Sequence, residues 1–248
     1  MSKRQPTLND MPEHVTNSSH APEKALLITI DGPAGSGKTT VSRLLAEQLN
    51  YQYVDTGALY RCIAFEVHKA GIAPTDNVQI QKLCQGLSIR FHKVDGESRI
   101  FSNNNDITDK IRTPELTMLA SAVSAMPAVR KHLLDVQRNM GKKKSVVFEG
   151  RDMGTVVFPE ADVKFFLDAA IDIRAQRRHT ELKVQHAQTL EAVQEDMRNR
   201  DHNDSNRELS PLKPAEDAFI IDTTHLSAQE VVGVMLDTIS TACRGKSA

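Results

Sequence analysis

The chain has 248 residues, 40% hydrophobic and 25% charged, with 31 Lys plus Arg against 32 Asp plus Glu for a formal net charge of -1. That length and apolar share suffice for the core of one large α/β domain, which excludes a disordered or fibrous chain. The charge balance excludes a general polyanion coat. Three widely spaced cysteines, Cys62, Cys84 and Cys243, form no C-x-x-C pair and are expected to be free thiols in a reducing compartment, as small core residues.

Residues 1–24 hold Pro6, Pro12 and Pro22 among polar side chains, the composition of a flexible tail. Lys3 and Arg4 are followed by polar residues where a secretory signal needs an apolar run, and no apolar stretch is long enough to span a bilayer. A soluble, cytoplasmic protein is expected.

From Ala25 the pattern changes. Leu26 to Ile30 reads as a short buried strand; after a glycine-rich turn, Val41, Leu44, Leu45 and Leu49 recur on one helical face. Further strands are expected at Tyr51 to Val54, Ser145 to Glu149, Val163 to Asp168 and Ala218 to Asp222, with helices between them. Such alternation gives a mainly parallel sheet covered on both faces. Thr113-Pro114-Glu115 and Ser227 with Glu230 carry helix-start signatures, a capped first-turn proline and a capping box. Leu87 to Phe91 alternates with period two, Asp95-Gly96 is a hairpin signal, and Arg99 to Phe101 can pair back before Asn103 to Asn105. This predicts a small antiparallel insert of about fifty residues.

Gly32-Pro33-Ala34-Gly35-Ser36-Gly37-Lys38-Thr39 fits G-x-x-x-x-G-K-[ST] between a strand and an amphipathic helix. Backbone N–H groups of such a loop cradle phosphate oxygens at the positive end of the following helix. Lys38 would reach the β- and γ-phosphates, and the Thr39 hydroxyl would ligate Mg²⁺; Thr40 completes the loop. A nucleoside triphosphate site follows. Without an N-K-x-D segment, a GTPase is excluded.

Arginine recurs in separate motif-like settings: Asp55-Thr56-Gly57-Ala58-Leu59-Tyr60-Arg61 after the second strand, and Glu149-Gly150-Arg151-Asp152-Met153-Gly154-Thr155 after the third. Arg174, Arg177 and Arg178 share one helical face, and Arg200 to Arg207 closes the set. Parallel strand ends open on one side of a sheet, so Arg61 and Arg151 should stand near the phosphate loop and serve a second anionic substrate. Aromatic residues make up 4% and Trp is absent, so no stacking platform for nucleic acid is expected. These residues leave open a kinase for a small acceptor, UMP, shikimate or pantoate among them, and a non-catalytic nucleotide-binding protein.

The motifs from Leu26 to Arg244 closely resemble those of bacterial cytidylate kinases: I-D-G-P-A-G-S-G-K-T, D-T-G-A-L-Y-R, I-R-T-P-E, E-G-R-D-M-G-T-V-V-F-P and R-D-x-x-D-S-x-R. The resemblance implies a P-loop three-layer α/β fold with a five-stranded parallel sheet, a small antiparallel insert and a helical lid. It further implies a nucleotide-monophosphate region at about 57–140 and a lid at about 171–207. It implies phosphorylation of CMP, and of dCMP, by ATP with Mg²⁺, in a monomer needing neither nucleic acid nor membrane. Thr56, Arg61, Ser121, Arg130, Arg151, Asp152, Arg200, Asp204 and Arg207 would surround the CMP. Among them, Arg61, Arg151 and Arg207 would hold its phosphate, Arg200 and Asp204 its ribose, and Asp152, Arg130 and Ser121 its base. Lys38, Arg151, Arg174, Arg178 and Arg207 would act on the transferring group, with Arg177 beside them on the lid.

Overall fold

The computed structural model describes residues 24–95, 97–182 and 188–245. The tail reading, apart from Lys24, and Gly96 of the hairpin signal lie outside these residues.

The main sheet is built from β1 (Leu27–Asp31), β2 (Gln52–Asp55), β6 (Val146–Glu149), β7 (Val163–Asp168) and β8 (Phe219–Asp222), all parallel, in the order β2-β6-β1-β7-β8. The five expected strands occupy their places within a residue or two. A helix follows β1 directly: α1 (Lys38–Leu49) turns Val41, Leu45 and Leu49 onto Ile28, Ile30 and Phe165, beside α8 (Ala228–Gly245), which adds Val231, Met235 and Ile239. Each of these aliphatic side chains contributes about 2 kcal/mol on leaving water. Both helix-start signatures are realised. Thr113 Oγ1 accepts from the Leu116 amide (3.2 Å) ahead of α4 (Pro114–Ser124), and Ser227 and Glu230 exchange bonds of 2.8 and 3.3 Å ahead of α8.

The opposite face of the sheet packs Leu27, Val54, Phe148, Met153 and Phe158 against Leu134 of α5 (Pro127–Gly141). Met153 belongs to a π-helical turn, Met153–Val157, that joins β6 to β7.

The antiparallel piece is three-stranded: β3 (Ile89–Val94), β4 (Glu97–Ser102) and β5 (Asn105–Asp106), with Asp95, Asn103 and Asn104 at positive φ in its turns. The antiparallel insert between parallel strands is present, but its strands span only 89–106 rather than about fifty residues. It lies inside a connection running over 56–145, packed with α2 (Thr56–Lys69), α3 (Asn77–Gln85), α4 and α5 around a core of its own. A two-sided hairpin this short needs those helices to bury its apolar face. Beyond β7, α6 (Ile171–Leu182) and α7 (Leu190–Asn206) pair around Ala175, Val193 and Met197. No helix among the described residues is long and apolar enough to cross a membrane.

Candidate active site

The parallel strands bring their C-terminal ends to one edge, where a cleft of about 730 Å³ opens between the sheet, the 56–145 connection and the α6–α7 pair. Residues 34–40 form one wall. Gly32 passes so close to β7 that a Cβ there would stand 2.0 Å from the Leu167 carbonyl oxygen, and Gly37 holds φ at 85° immediately before α1 begins at Lys38. A side chain at Gly32 would have to push β7 backbone aside, whereas at Gly37 there is room but the left-handed φ strains any L residue. Gly32 and Pro33 support the loop from below, outside the cleft lining.

Lys38 is 5% exposed and folds onto the Pro33 carbonyl and Ser36 Oγ. Burial, then the nearby Arg151 charge, holds its ammonium well below the usual lysine range. The Thr39 hydroxyl donates to Glu149 Oε1 at 2.9 Å, and Tyr53 donates to Glu149 Oε2 at 2.9 Å. Burial, then Asp55, raises the Glu149 carboxyl. Hard oxygen donors in this arrangement suit Mg²⁺, which takes few protein ligands when phosphates supply the rest. Among the described residues no cluster of three His, Cys, Asp or Glu gathers as a metal site.

Facing the loop, arginines are interleaved with carboxylates. Arg61 pairs with Asp55 at 2.8 Å, and Asp55 also caps α2 by accepting from the Ala58 amide. Arg130 grips Asp152, which is 2% exposed, and donates to the Ser124 carbonyl at 3.1 Å. Arg151 pairs with Asp204 at 3.0 Å. Arg207 stands 3.9 Å from both Asp152 and Asp204, its Nη2 buried without a hydrogen bond. Burial and the adjacent Arg151 charge push Arg200 down to about 10, and its Nε also lacks a partner. So many guanidinium groups repel one another. Three carboxylates offset part of that, and a bound phosphate dianion would offset more.

Thr56 and Ser121 line the same cleft, as do Arg177 and Arg178. Arg177 is tied to Thr223, whose hydroxyl donates to the Ser36 carbonyl at 3.1 Å; Arg178 reaches Glu181 at 3.0 Å. Arg174 departs from expectation. It lies outside the cleft lining, 7% exposed, with Nε on the Ala169 carbonyl and Nη1 on the Ala34 carbonyl and Asp201 (2.6 Å). The i, i+3, i+4 spacing put it on the face of Arg177 and Arg178, but α7 and the phosphate loop claim its guanidinium. It supports the loop from behind.

Several residues of the site were not singled out from the sequence: Asp31, Asp55, Glu149, Tyr53 and Thr223. For the three acids among them the missed signal is shared. Every strand of the main sheet ends on an acid, Asp31, Asp55, Glu149, Asp168 and Asp222, at the edge where parallel strands present their functional groups.

Comparison with known proteins gives the family. The cytidylate kinase family model matches residues 28–241. The chain is 47% identical to the cytidylate kinase of Syntrophotalea carbinolica over 88% of this chain and 93% of that one. It is 45% identical to the cytidylate kinase of Geobacter sulfurreducens, covering 88% and 94%. Among solved structures, a gluconokinase from Sinorhizobium meliloti 1021 aligns with a TM-score of 0.49 at 13% identity, over 90% of this chain and 96% of that one. The Acinetobacter baumannii shikimate kinase in complex with shikimate aligns at 0.47 and 17%, over 88% and 95%. The family match spans the phosphate loop, the arginine-carboxylate wall and the α6–α7 pair alike, and the chain belongs to the cytidylate kinase family.

Proposed function

We propose that the protein transfers the γ-phosphoryl group of ATP to CMP, giving ADP and CDP, and accepts dCMP as well. A CMP phosphate oxygen forms the new bond to the γ-phosphorus as the bond to the bridging β–γ oxygen breaks, and ADP leaves with the electron pair. The attacking phosphate is ionised near neutral pH, so no side chain has to remove a proton. The single observation that carries this reading is the cluster of Arg61, Arg130, Arg151, Arg200 and Arg207 opposite the phosphate loop, in one cleft.

Lys38 exchanges the Pro33 carbonyl for β- and γ-phosphate oxygens. Thr39, beside Glu149, holds Mg²⁺, which neutralises charge on the triphosphate. Arg61, Arg151 and Arg207 hold the CMP phosphate through guanidinium forks, and Arg200 with Asp204 meets the ribose. Arg177 and Arg178 stabilise charge on the transferring group, while Arg174 orders the loop. Asp152 accepts a hydrogen bond from the cytosine N4 amine while Arg130 and Ser121 donate to N3 and O2. Uracil would oppose a carbonyl to Asp152, a mismatch worth several powers of ten in a buried polar site. Residues 57–140 form the monophosphate-binding region and 171–207 the lid that excludes water. The enzyme acts as a cytoplasmic monomer and needs no nucleic acid or membrane partner.

An ADP-release assay with CMP, dCMP, UMP and shikimate as acceptors tests this reading. CMP and dCMP turnover well above UMP is the expected result; ADP release independent of CMP overturns it.

A further inference from the structure

Arg151 and Asp152 sit in a segment fastened on both sides to one strand end. Upstream, the Gly150 amide donates to the Ile30 carbonyl at 3.0 Å. Downstream, the Met153 and Gly154 amides donate to the two carboxylate oxygens of Asp31 at 2.9 and 2.8 Å. Asp31 is the last residue of β1 and 4% exposed; it lies outside the cleft lining and directly precedes Gly32, where the phosphate loop begins. Inside the turn the Val156 and Val157 amides return to the Asp152 carbonyl at 2.9 and 3.1 Å. At its far end Arg138 of α5 donates to the carbonyls of Val157 and Val156 at 3.2 and 3.3 Å.

The anchor requires a carboxylate. Two neighbouring N–H donors need two acceptors, and asparagine supplies one acceptor and an NH₂ that would face an N–H. Placing a carboxyl here is costly: burial pushes Asp31 up to about 6, the amide bonds work against that shift, and the charge of Asp152 adds to it. Because Ile30 and Asp31 hold the segment at both sides and also lead into the loop, the spacing between the two nucleotide-binding elements is set by one strand end.

We infer that Asp31 is a positioning residue for nucleotide selection: through the Met153 and Gly154 amides it fixes where the Asp152 carboxylate and the Arg151 guanidinium stand relative to the phosphate loop. The inference rests on the proposed CMP reading and names a residue that touches neither substrate.

The test is Asp31→Asn, with kinetics for CMP, UMP and ATP measured beside the wild type. Leaving one amide unpaired should raise KM for CMP about tenfold and lower the CMP-over-UMP ratio of kcat/KM about tenfold, with KM for ATP within about twofold. The ratio is independent of how much enzyme is folded, so a purely structural role would not move it. An unchanged ratio, or CMP and ATP constants rising together, overturns the inference. Should the variant fail to fold, amide exchange in the wild type decides: exchange at Met153 and Gly154 as slow as in β1 supports the anchor, and fast exchange there overturns it. A wild type that leaves CMP unused would instead remove the proposed function; an active wild type with an unchanged ratio in Asp31→Asn removes only the role of Asp31.

Discussion

The two helical regions that flank the cleft deliver the same kind of group by different physics. The 56–145 connection presents Arg61 and Arg130 from a platform with its own core, in which Ile63, Ile80, Ile107, Ile111 and Leu133 are fully buried. The α6–α7 pair delivers Arg200 and Asp204 with, among the described residues, Ala175, Val193 and Met197 buried between its helices, backed by partly buried Ala34, Ile171 and Leu190. The Arg174–Asp201 bridge ties the two helices to each other, while Arg178–Glu181 and the Thr189 cap on the Ala192 amide act within single helices. Apolar burial weighs on the free energy of local opening, so we expect the platform to open with the whole domain and the helix pair to open at lower cost. On the proposed function, that difference would suit one region to holding the acceptor and the other to closing over it.

The largest effect should come from the platform side of the site. Asp152→Ala leaves Arg130 without its buried carboxylate and removes the proposed N4 acceptor. We expect kcat/KM for CMP to fall about a thousandfold while KM for ATP changes little. Steady-state kinetics with each nucleotide varied in turn check this; equal losses for CMP and ATP would mean that Asp152 serves the whole cleft. Next comes Leu133→Ala, which should cost about 3 kcal/mol in urea unfolding, because a rigid core relaxes only partly around the cavity. A loss below 1 kcal/mol, within the range of ordinary surface substitutions, would dissolve the contrast between the regions.

Much of the main sheet and its phosphate loop was legible in the sequence because strand periodicity, the G-x-x-x-x-G-K-[ST] loop and the Thr113 and Ser227 caps are local codes. Arg61 and Arg151 could be placed near the loop from parallel strand order alone, and both line the same cleft. Arg174 could not be assigned in this way. Helical spacing tells which residues share a face, but whether that face meets the cleft depends on Asp201 and Ala34, far off in sequence. Asp31 and Glu149 escaped notice for a similar reason. Each is a lone carboxylate with no partner at a diagnostic spacing, and its meaning arises only when β6 lies beside β1, in the register that pairs Ile30 with Glu149.

Arg174→Ala sharpens the comparison from the other side. It removes the link from α6 to the Ala34 carbonyl and strands Asp201, so the predicted defect is a KM for ATP raised about tenfold with KM for CMP within about twofold. A fall in kcat with both KM values unchanged would instead return Arg174 to the transferring group, as its sequence setting suggested.

Met197→Ala should show the smallest effect on global stability and the most revealing local one. Met197 packs with Ala175 and Val193, and its Cε lies 2.9 Å from where a Cβ on Gly35 would stand, so the side chain joins the helix pair to the phosphate loop. In a full core, the loss of a methionine side chain costs 2 kcal/mol or more. The pair is expected to open below the global free energy, so most of the lost contact falls on the local equilibrium instead. The expected outcome is a global unfolding midpoint shifted by less than about 1 kcal/mol, together with amide exchange in α6 and α7 accelerated about fivefold and no change in α2 or α5. Equal acceleration in all four helices would show that the two regions open as one, and the division of labour across the cleft would then have to be sought in the arginines alone.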